Sequence, residues 1–243
     1  MKNLNNTSPN QIYIGYEARE HDAFRVCEYT INKLNISYPF RQAIPLKSED
    51  IPEYTRDWGE PQSTDFTFTR FWVPYLSDFK GISIYCDCDF MFLDNPAKLF
   101  HYVEDNNKAL AVVKHPTYTP NSATKMHGIP QHKSYRKNWA SLMVFNNEHP
   151  SNKILQPDYL NTHRPGMDFH HLTWLKDEEI ESIPIEWNVL DGYYHLENPK
   201  AIHYTDGGPW EFGSIRQEWS RYSDLWTDKL QEIEAEAVLL EKN

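Results

Sequence analysis

Long apolar runs, cysteine and clustered positive charge are what this chain of 243 residues has least of. No apolar stretch approaches the roughly 20 residues that a membrane-spanning helix needs. The opening Met1 to Pro9 also lacks the hydrophobic core of a leader peptide. A cytoplasmic protein with no transmembrane segment is the expectation. Three cysteines, Cys27, Cys86 and Cys88, are too few and too oddly spaced for a disulfide framework or a zinc knuckle. Cys86 and Cys88, which flank Asp87, are expected to serve as small core residues. With 24 basic against 35 acidic side chains the net charge is −11, and no Lys/Arg cluster is present. That argues against a grip on nucleic-acid backbone and against docking on an anionic membrane. An anionic substrate would need a metal ion or a few well-placed cations. No internal repeat is visible.

Against these shortages stand 40% hydrophobic and 14% aromatic residues, enough for one sizeable core. Residues 1–10 read as a flexible N-terminus, 11–226 as one α/β domain and 227–243 as a C-terminal helix with an acidic tail. Gln11 to Tyr16 reads as a strand, followed by a helix capped by Asp22 through Phe24, Cys27, Ile31 and Leu34. A strand around Phe40–Leu46 completes a β-α-β opening. Residues 47–63 read as a mobile loop, and Thr64 to Leu76 as a buried helix that ends near Gly81. A strand at 82–86, a helix over Pro96–Glu104 and a strand over Ala109–Lys114 come next. Residues 115–137 form a long excursion. Ser141–Asn146 is a further strand, and helices are expected over Pro157–Asn161 and Phe169–Leu175. Short strands follow at Ile183–Trp187 and Ala201–Tyr204, with a helical region from Ser214.

The most telling segment is Ile82-Ser-Ile-Tyr-Cys-Asp87-Cys-Asp89. Its period-2 alternation marks a strand with two carboxylates at i and i+2 just beyond it. In open α/β sheets ligands lie beyond the carboxyl ends of strands. A bend there would let Asp87 and Asp89 offer hard oxygen ligands to Mg²⁺ or Mn²⁺, completed by substrate phosphates. The plainer reading is that they cap a turn or the next helix. Arg70, a single charge in an apolar helix, suits bidentate contact with phosphate or carboxylate, or else an ion pair with Asp65 or Asp78. Asn138 and Ser141, at a strand entrance, can face a sugar or act as turn residues. His203 ends a short apolar run, beside Gly207 and Gly208, whose backbone N–H groups can approach an anion. A neutral imidazole could complete an Asp-based divalent site.

Taken in order, Tyr13-Ile-Gly-Tyr-Glu, Thr69-Arg70, Tyr85-Cys-Asp-Cys-Asp, Asn138-Trp-Ala-Ser-Leu-Met-Val-Phe-Asn146, Trp187-Asn188 and His203-x-x-x-Gly-Gly-Pro-Trp210 resemble one known family. It is that of the retaining nucleotide-sugar glycosyltransferases of the glycogenin and lipopolysaccharide galactosyltransferase group, glycosyltransferase family eight. The resemblance covers about residues 11–226. It implies a GT-A fold, a Rossmann-like mixed sheet flanked by helices in a single domain. By the same resemblance Asp87, Asp89 and His203 would hold Mn²⁺ (or Mg²⁺) against the donor diphosphate, and Arg70 would reach the donor sugar and phosphate. Ile14, Gly15 and Tyr16 would meet the nucleobase, usually uracil. Asn138 and Ser141 would lie at the sugar, with a saccharide, glycolipid or protein as acceptor.

Two departures stand out. Where the family carries Lys before its Pro-Trp, this chain has Gly208, which leaves the amides of Gly207 and Gly208 or another cation to serve the pyrophosphate. The family's Asp-Gln-Asp-like segment is represented by Met167-Asp168-Phe169-His170-His171. Asp168 or His170 could stabilise the developing cation or orient the acceptor. The rival readings are an Asp-x-Asp phosphohydrolase and a GT-A domain that binds nucleotide or sugar without turnover.

Overall fold

A computed structural model of the chain describes residues 10–34, 43–56, 64–104, 108–117, 119–120, 124–125, 129–130, 135–162, 166–212 and 220–240. In chain order the strands are β1 (Gln11–Gly15), β2 (Ile44–Leu46), β3 (Ile82–Cys86), β4 (Phe90–Phe92), β5 (Leu110–Val113), β6 (Thr124–Lys125), β7 (Ile129–Pro130), β8 (Leu142–Asn146), β9 (Ile180–Ile183), β10 (Val189–Leu190) and β11 (Ala201–His203). The helices are α1 (His21–Leu34), α2 (Phe66–Thr69), α3 (Val73–Leu76), α4 (His101–Glu104), α5 (Pro157–Thr162), α6 (Gly166–His170), α7 (Pro209–Phe212) and α8 (Ser223–Leu240).

Six strands form the main sheet in the order β2-β1-β3-β8-β5-β9, and β8 alone runs against its neighbours. Period-2 alternation sorts its side chains into two cores. Ile12, Ile14, Ile84, Cys86, Ala111 and Val144 share one buried cluster with Phe24, Cys27 and Ile31 of α1. Tyr13, Tyr85, Val112 and Met143 join a second with Phe71, Trp72, Val73, Phe169 and Leu172. A smaller sheet, β10-β11-β4, packs through Met91, Val189 and Ile202 against Tyr222 and Trp226 near the start of α8. Helix α8 runs unbroken through residues 226 and 227 and is tied back to α1 by Tyr29 to Glu236 and Lys33 to Glu232.

Several expectations need correction. The first helical stretch starts ahead of Asp22, because Glu17 accepts from the Arg19 N–H and opens a turn at Ala18–Glu20 that leads into α1. The buried helix from Thr64 is present as α2, a tighter turn at Arg70–Trp72, and α3, with Pro74 near the start of α3 removing one backbone donor. It ends where Asp78 and Phe79 turn left-handed. The segment expected as a helix over Phe169–Leu175 is instead the end of α6 followed by turns, with Leu172 at φ 57°. Ile183–Trp187 is not a strand: β9 ends at Ile183, and Ile185–Trp187 is a helical turn after Pro184. Where residues 47–63 are described, Ser48–Asp50 form a helical turn, and buried Arg56 donates to the Leu160 carbonyl. Residues 57–63, 35–42 and 213–219 lie outside the described residues. The excursion at 115–137 contains the short antiparallel pair β6–β7.

Candidate metal centre

The Asp87-Cys88-Asp89 segment is the crossing between the two sheets. Strand β3 leaves the main sheet at Cys86, the chain turns, and β4 joins the smaller sheet at Phe90. Main-chain bonds pin both ends of the crossing. The Asp87 N–H donates to the Ser141 carbonyl at 3.0 Å, and the Asp89 carbonyl accepts from the Tyr204 N–H at 3.0 Å. Cys86 and Cys88 turn into the core as expected, and both are fully buried. The bend brings one ligand atom each from Asp87, Asp89 and His203 within 4.8 Å of one another, all three buried. His203 arrives from β11, whose register places it opposite Phe90 on β4 and Leu190 on β10. Its ring stacks on Phe90, with centroids 4.4 Å apart.

Two buried carboxylates and a buried imidazole nitrogen that converge in this way form a donor set that suits Mn²⁺ or Mg²⁺. The capping alternative does not account for the Asp87 side chain. Asp87 is held by Arg70, whose Nη1 lies 3.0 Å from Oδ1 and 3.4 Å from Oδ2, and by the Tyr85 hydroxyl, which donates to Oδ1 at 2.8 Å. Neither Asp65 nor Asp78 is the partner of Arg70. The same guanidinium donates to the carbonyls of Ala140 at 2.8 Å and Phe66 at 3.1 Å, so it is committed to the frame of the site. Burial pushes the Asp87 carboxyl above its ordinary pKa; Arg70 opposes that and neighbouring Asp89 adds to it. Burial also works against the charge on Arg70, yet Asp87, Tyr85 and Asp89 together hold its pKa above the ordinary value.

The other expected site residues each have contacts of their own. Ile14 is part of the core, and a β-carbon on Gly15 would meet the Tyr85 hydroxyl at 2.4 Å and the Phe66 ring at 2.7 Å. Gly15 therefore makes room for the tyrosine that holds Asp87. Tyr16 packs edge-on to Phe24 beneath the Lys47 ammonium. Asn138 is left-handed, φ 62°, a conformation that asparagine tolerates, and its amide donates to Thr205 Oγ1. The Ser141 hydroxyl donates to the Asn138 carbonyl at 2.8 Å. His170 lies against Phe71 and Phe68, and the Asp168 carbonyl accepts from the Thr173 N–H.

Gly207, at φ 94°, donates its N–H to the Tyr204 carbonyl, so that amide is used in the turn itself. Beside it, a β-carbon on Gly208 would meet the Trp210 indole at 2.1 Å, and that ring packs on Tyr204 and Trp226. Trp210 fills the space that a lysine side chain at position 208 would need.

Sequence reasoning gave no role to three residues around the centre. Tyr85 was legible, since i and i+2 on a strand share a face and put it beside Asp87. Asn188 accepts from His203 Nδ1 at 3.0 Å. Buried His115 donates from Nδ1 to the Tyr194 hydroxyl at 3.1 Å, and that hydroxyl donates to the Asn188 carbonyl at 2.8 Å. No local pattern announces the last two.

Protein CDI of Arabidopsis thaliana is 39% identical to this chain over 237 residues, covering 94% of this chain and 88% of the relative. The chain belongs to the Protein CDI family. No family model matches the sequence. Among solved structures this family member superposes on the WbbM bifunctional glycosyltransferase with a TM-score of 0.63 at 13% identity, over 92% of this chain and 50% of WbbM. It therefore spans half the length of that protein. It also superposes on the galactosyltransferase LgtC, solved with donor and acceptor sugar analogues, with a TM-score of 0.56 at 10% identity over 91% and 95% of the two chains. Mouse xyloside xylosyltransferase 1 gives a TM-score of 0.52 at 13% identity over 81% of this chain and 98% of its own. The fold of this Protein CDI relative is thus GT-A, an α/β mixed sheet flanked by helices. Among the described residues no helix is long and apolar enough to cross a membrane.

Proposed function

We propose that this Protein CDI family member is a metal-dependent glycosyltransferase. In the manner of glycosyltransferase family eight, it would move a sugar from a nucleotide-sugar, a UDP-sugar, to a hydroxyl of a saccharide, glycolipid or protein acceptor, with retention at the anomeric carbon. The observation that carries this reading is the convergence of Asp87, Asp89 and His203 at the crossing between the two sheets of a GT-A fold. These three residues would hold Mn²⁺ or Mg²⁺, which when bound supplies a Lewis acid that neutralises the departing diphosphate.

The chain's own residues would do the rest. Arg70 opposes the effect of burial on the Asp87 carboxyl and aims it, and its positive charge lies within the same buried site. Asn138, at the entrance to β8 and tied to Thr205 after His203, would cradle the donor sugar together with Ser141. Asp168 and His170 are the residues proposed to steady the developing cation or orient the acceptor. With no strong nucleophile evident, same-face attack is favoured, and the leaving phosphate takes the acceptor proton. Tight packing of Trp210 over Gly208 gives a structural reason for the absent lysine.

A thermal-shift panel of nucleoside diphosphates, with and without Mn²⁺, tests the proposal on the wild type and Asp87→Asn. Stabilisation by UDP only when Mn²⁺ is present, lost in the variant, is the expected result, to be followed by turnover of UDP-sugars. No metal-linked shift with any nucleotide would overturn it.

A further inference from the structure

The hydrogen-bond chain behind His203 begins at a group that can only accept, and each proton along it follows from that. The Asn138 carbonyl takes the Ser141 hydroxyl proton across 2.8 Å. Ser141 Oγ then has only lone pairs to offer its next neighbour, so the Asn188 atom 3.0 Å away is the donating amide nitrogen. This turns Asn188 Oδ1 toward His203 Nδ1, also at 3.0 Å, and Nδ1 must carry a hydrogen. In the neutral ring the lone pair is left on Nε2, the atom that faces Asp89 Oδ1 at 3.3 Å.

A histidine side chain in water favours the opposite tautomer, with the hydrogen on Nε2, which could not bind a metal through that atom. Asn188 is fully buried. The backbone also holds it firmly. It follows the turn Ile185–Trp187, precedes β10, and gives its carbonyl to Tyr194, which is itself held by His115. Phe90 fixes the plane of the imidazole.

We propose that Asn188 is a positioning residue of the metal centre, with Ser141 as its orienter, and that it locks His203 in the Nδ1–H tautomer with Nε2 open to a divalent cation. Asn188 contributes no ligand atom; it determines which nitrogen of His203 can be one. The consequence for metal affinity rests on the metal-centre reading above, whereas the tautomer does not. A hydrogen-bond partner behind a ligating histidine is commonly worth 10- to 100-fold in metal affinity.

The test compares wild type, Asn188→Leu, which has similar bulk and no acceptor, and Asn188→Asp, which keeps an acceptor. Long-range ¹H–¹⁵N spectra of metal-free protein, at a pH where the ring is neutral, report the His203 tautomer, and calorimetry with Mn²⁺ reports affinity. Wild type is expected in the Nδ1–H form, Asn188→Leu in the Nε2–H form or a mixture with roughly 10- to 100-fold weaker Mn²⁺ binding, and Asn188→Asp within a few-fold of wild type. A wild-type ring carrying its hydrogen on Nε2, or Asn188→Leu with unchanged tautomer and affinity, overturns the proposal. If Asn188→Leu does not fold, the wild-type tautomer and the affinity of Asn188→Asp decide. Wild type that binds no Mn²⁺ yet shows the Nδ1–H tautomer defeats the metal-centre reading and leaves the tautomer lock standing.

Discussion

The two halves of the centre are held by different physics. Asp87 is fixed by charge, since Arg70 and the Tyr85 hydroxyl converge on it in a site from which solvent is largely excluded. His203 is fixed by a chain of neutral hydrogen bonds through Asn188 and Ser141 to a backbone carbonyl. A charged clamp is strong but costly to break, because removing one partner strands the other as a buried ion. A neutral chain costs less to break, but it encodes direction, since every donor specifies the next acceptor. A carboxylate needs to be kept ionised, whereas an imidazole needs to present the correct nitrogen. Each half carries the kind of support that its side chain would need to hold a metal ion.

The charged half gives the largest expected effect. Arg70→Met should lower stability by about 3–5 kcal/mol in urea unfolding, because Asp87 stays buried without its cation. Mn²⁺ should restore more stability to this variant than it adds to wild type, since the ion would take over as countercharge. Removing both charges, with Asp87→Asn added, should cost less than the two single changes together. Strict additivity of the two changes would show that Arg70 does not support Asp87 at all.

The neutral half is open to acid instead. Burial, together with His203, lowers the His115 pKa to about 3 from an ordinary 6.5. A histidine depressed in the fold stabilises the protein fully above the unfolded value and loses that contribution as pH falls toward the folded one. Between neutrality and pH 5 the loss should reach about 2 kcal/mol. His115→Gln, which cannot take up a proton, should flatten this part of the stability profile measured by denaturant unfolding at each pH. Parallel profiles for wild type and variant would remove His115 from the account.

How much of this was readable beforehand differs between the two halves in the same way. The opening β-α-β unit, the Asp-x-Asp strand and β11 follow from short-range periodicity, and so does Tyr85 beside Asp87. Arg70 was recognisable as a charge in need of a partner, but the partner lies 17 residues away across a bend that only packing defines. Asn188 could be quoted as part of a Trp-Asn pair, yet its task depends on the register of β10 with β11 and on a serine 47 residues earlier. The misread segments, Phe169–Leu175 and Ile183–Trp187, are short apolar runs in which helix and strand periods look alike. Left-handed Leu172 and the turn after Pro184 decided them. Neutral hydrogen-bond chains joining distant segments leave no local trace in a sequence, whereas an isolated charge does.

The smallest expected effect lies at the start of the neutral chain. Ser141→Ala removes one hydroxyl and leaves the Asn138 carbonyl and the Asn188 amide each short of a partner, which should cost about 1–3 kcal/mol in thermal or urea unfolding. Its sharper consequence is orientational. Without the hydroxyl nothing at that end distinguishes the two faces of the Asn188 amide, so the His203 tautomer should become mixed while the Arg70–Asp87 pair stays intact. A pure Nδ1–H ring in Ser141→Ala would show that contacts at the other end, from Tyr194 and the backbone of β10, are sufficient to orient Asn188. The directional information would then come from the fold itself rather than from the serine.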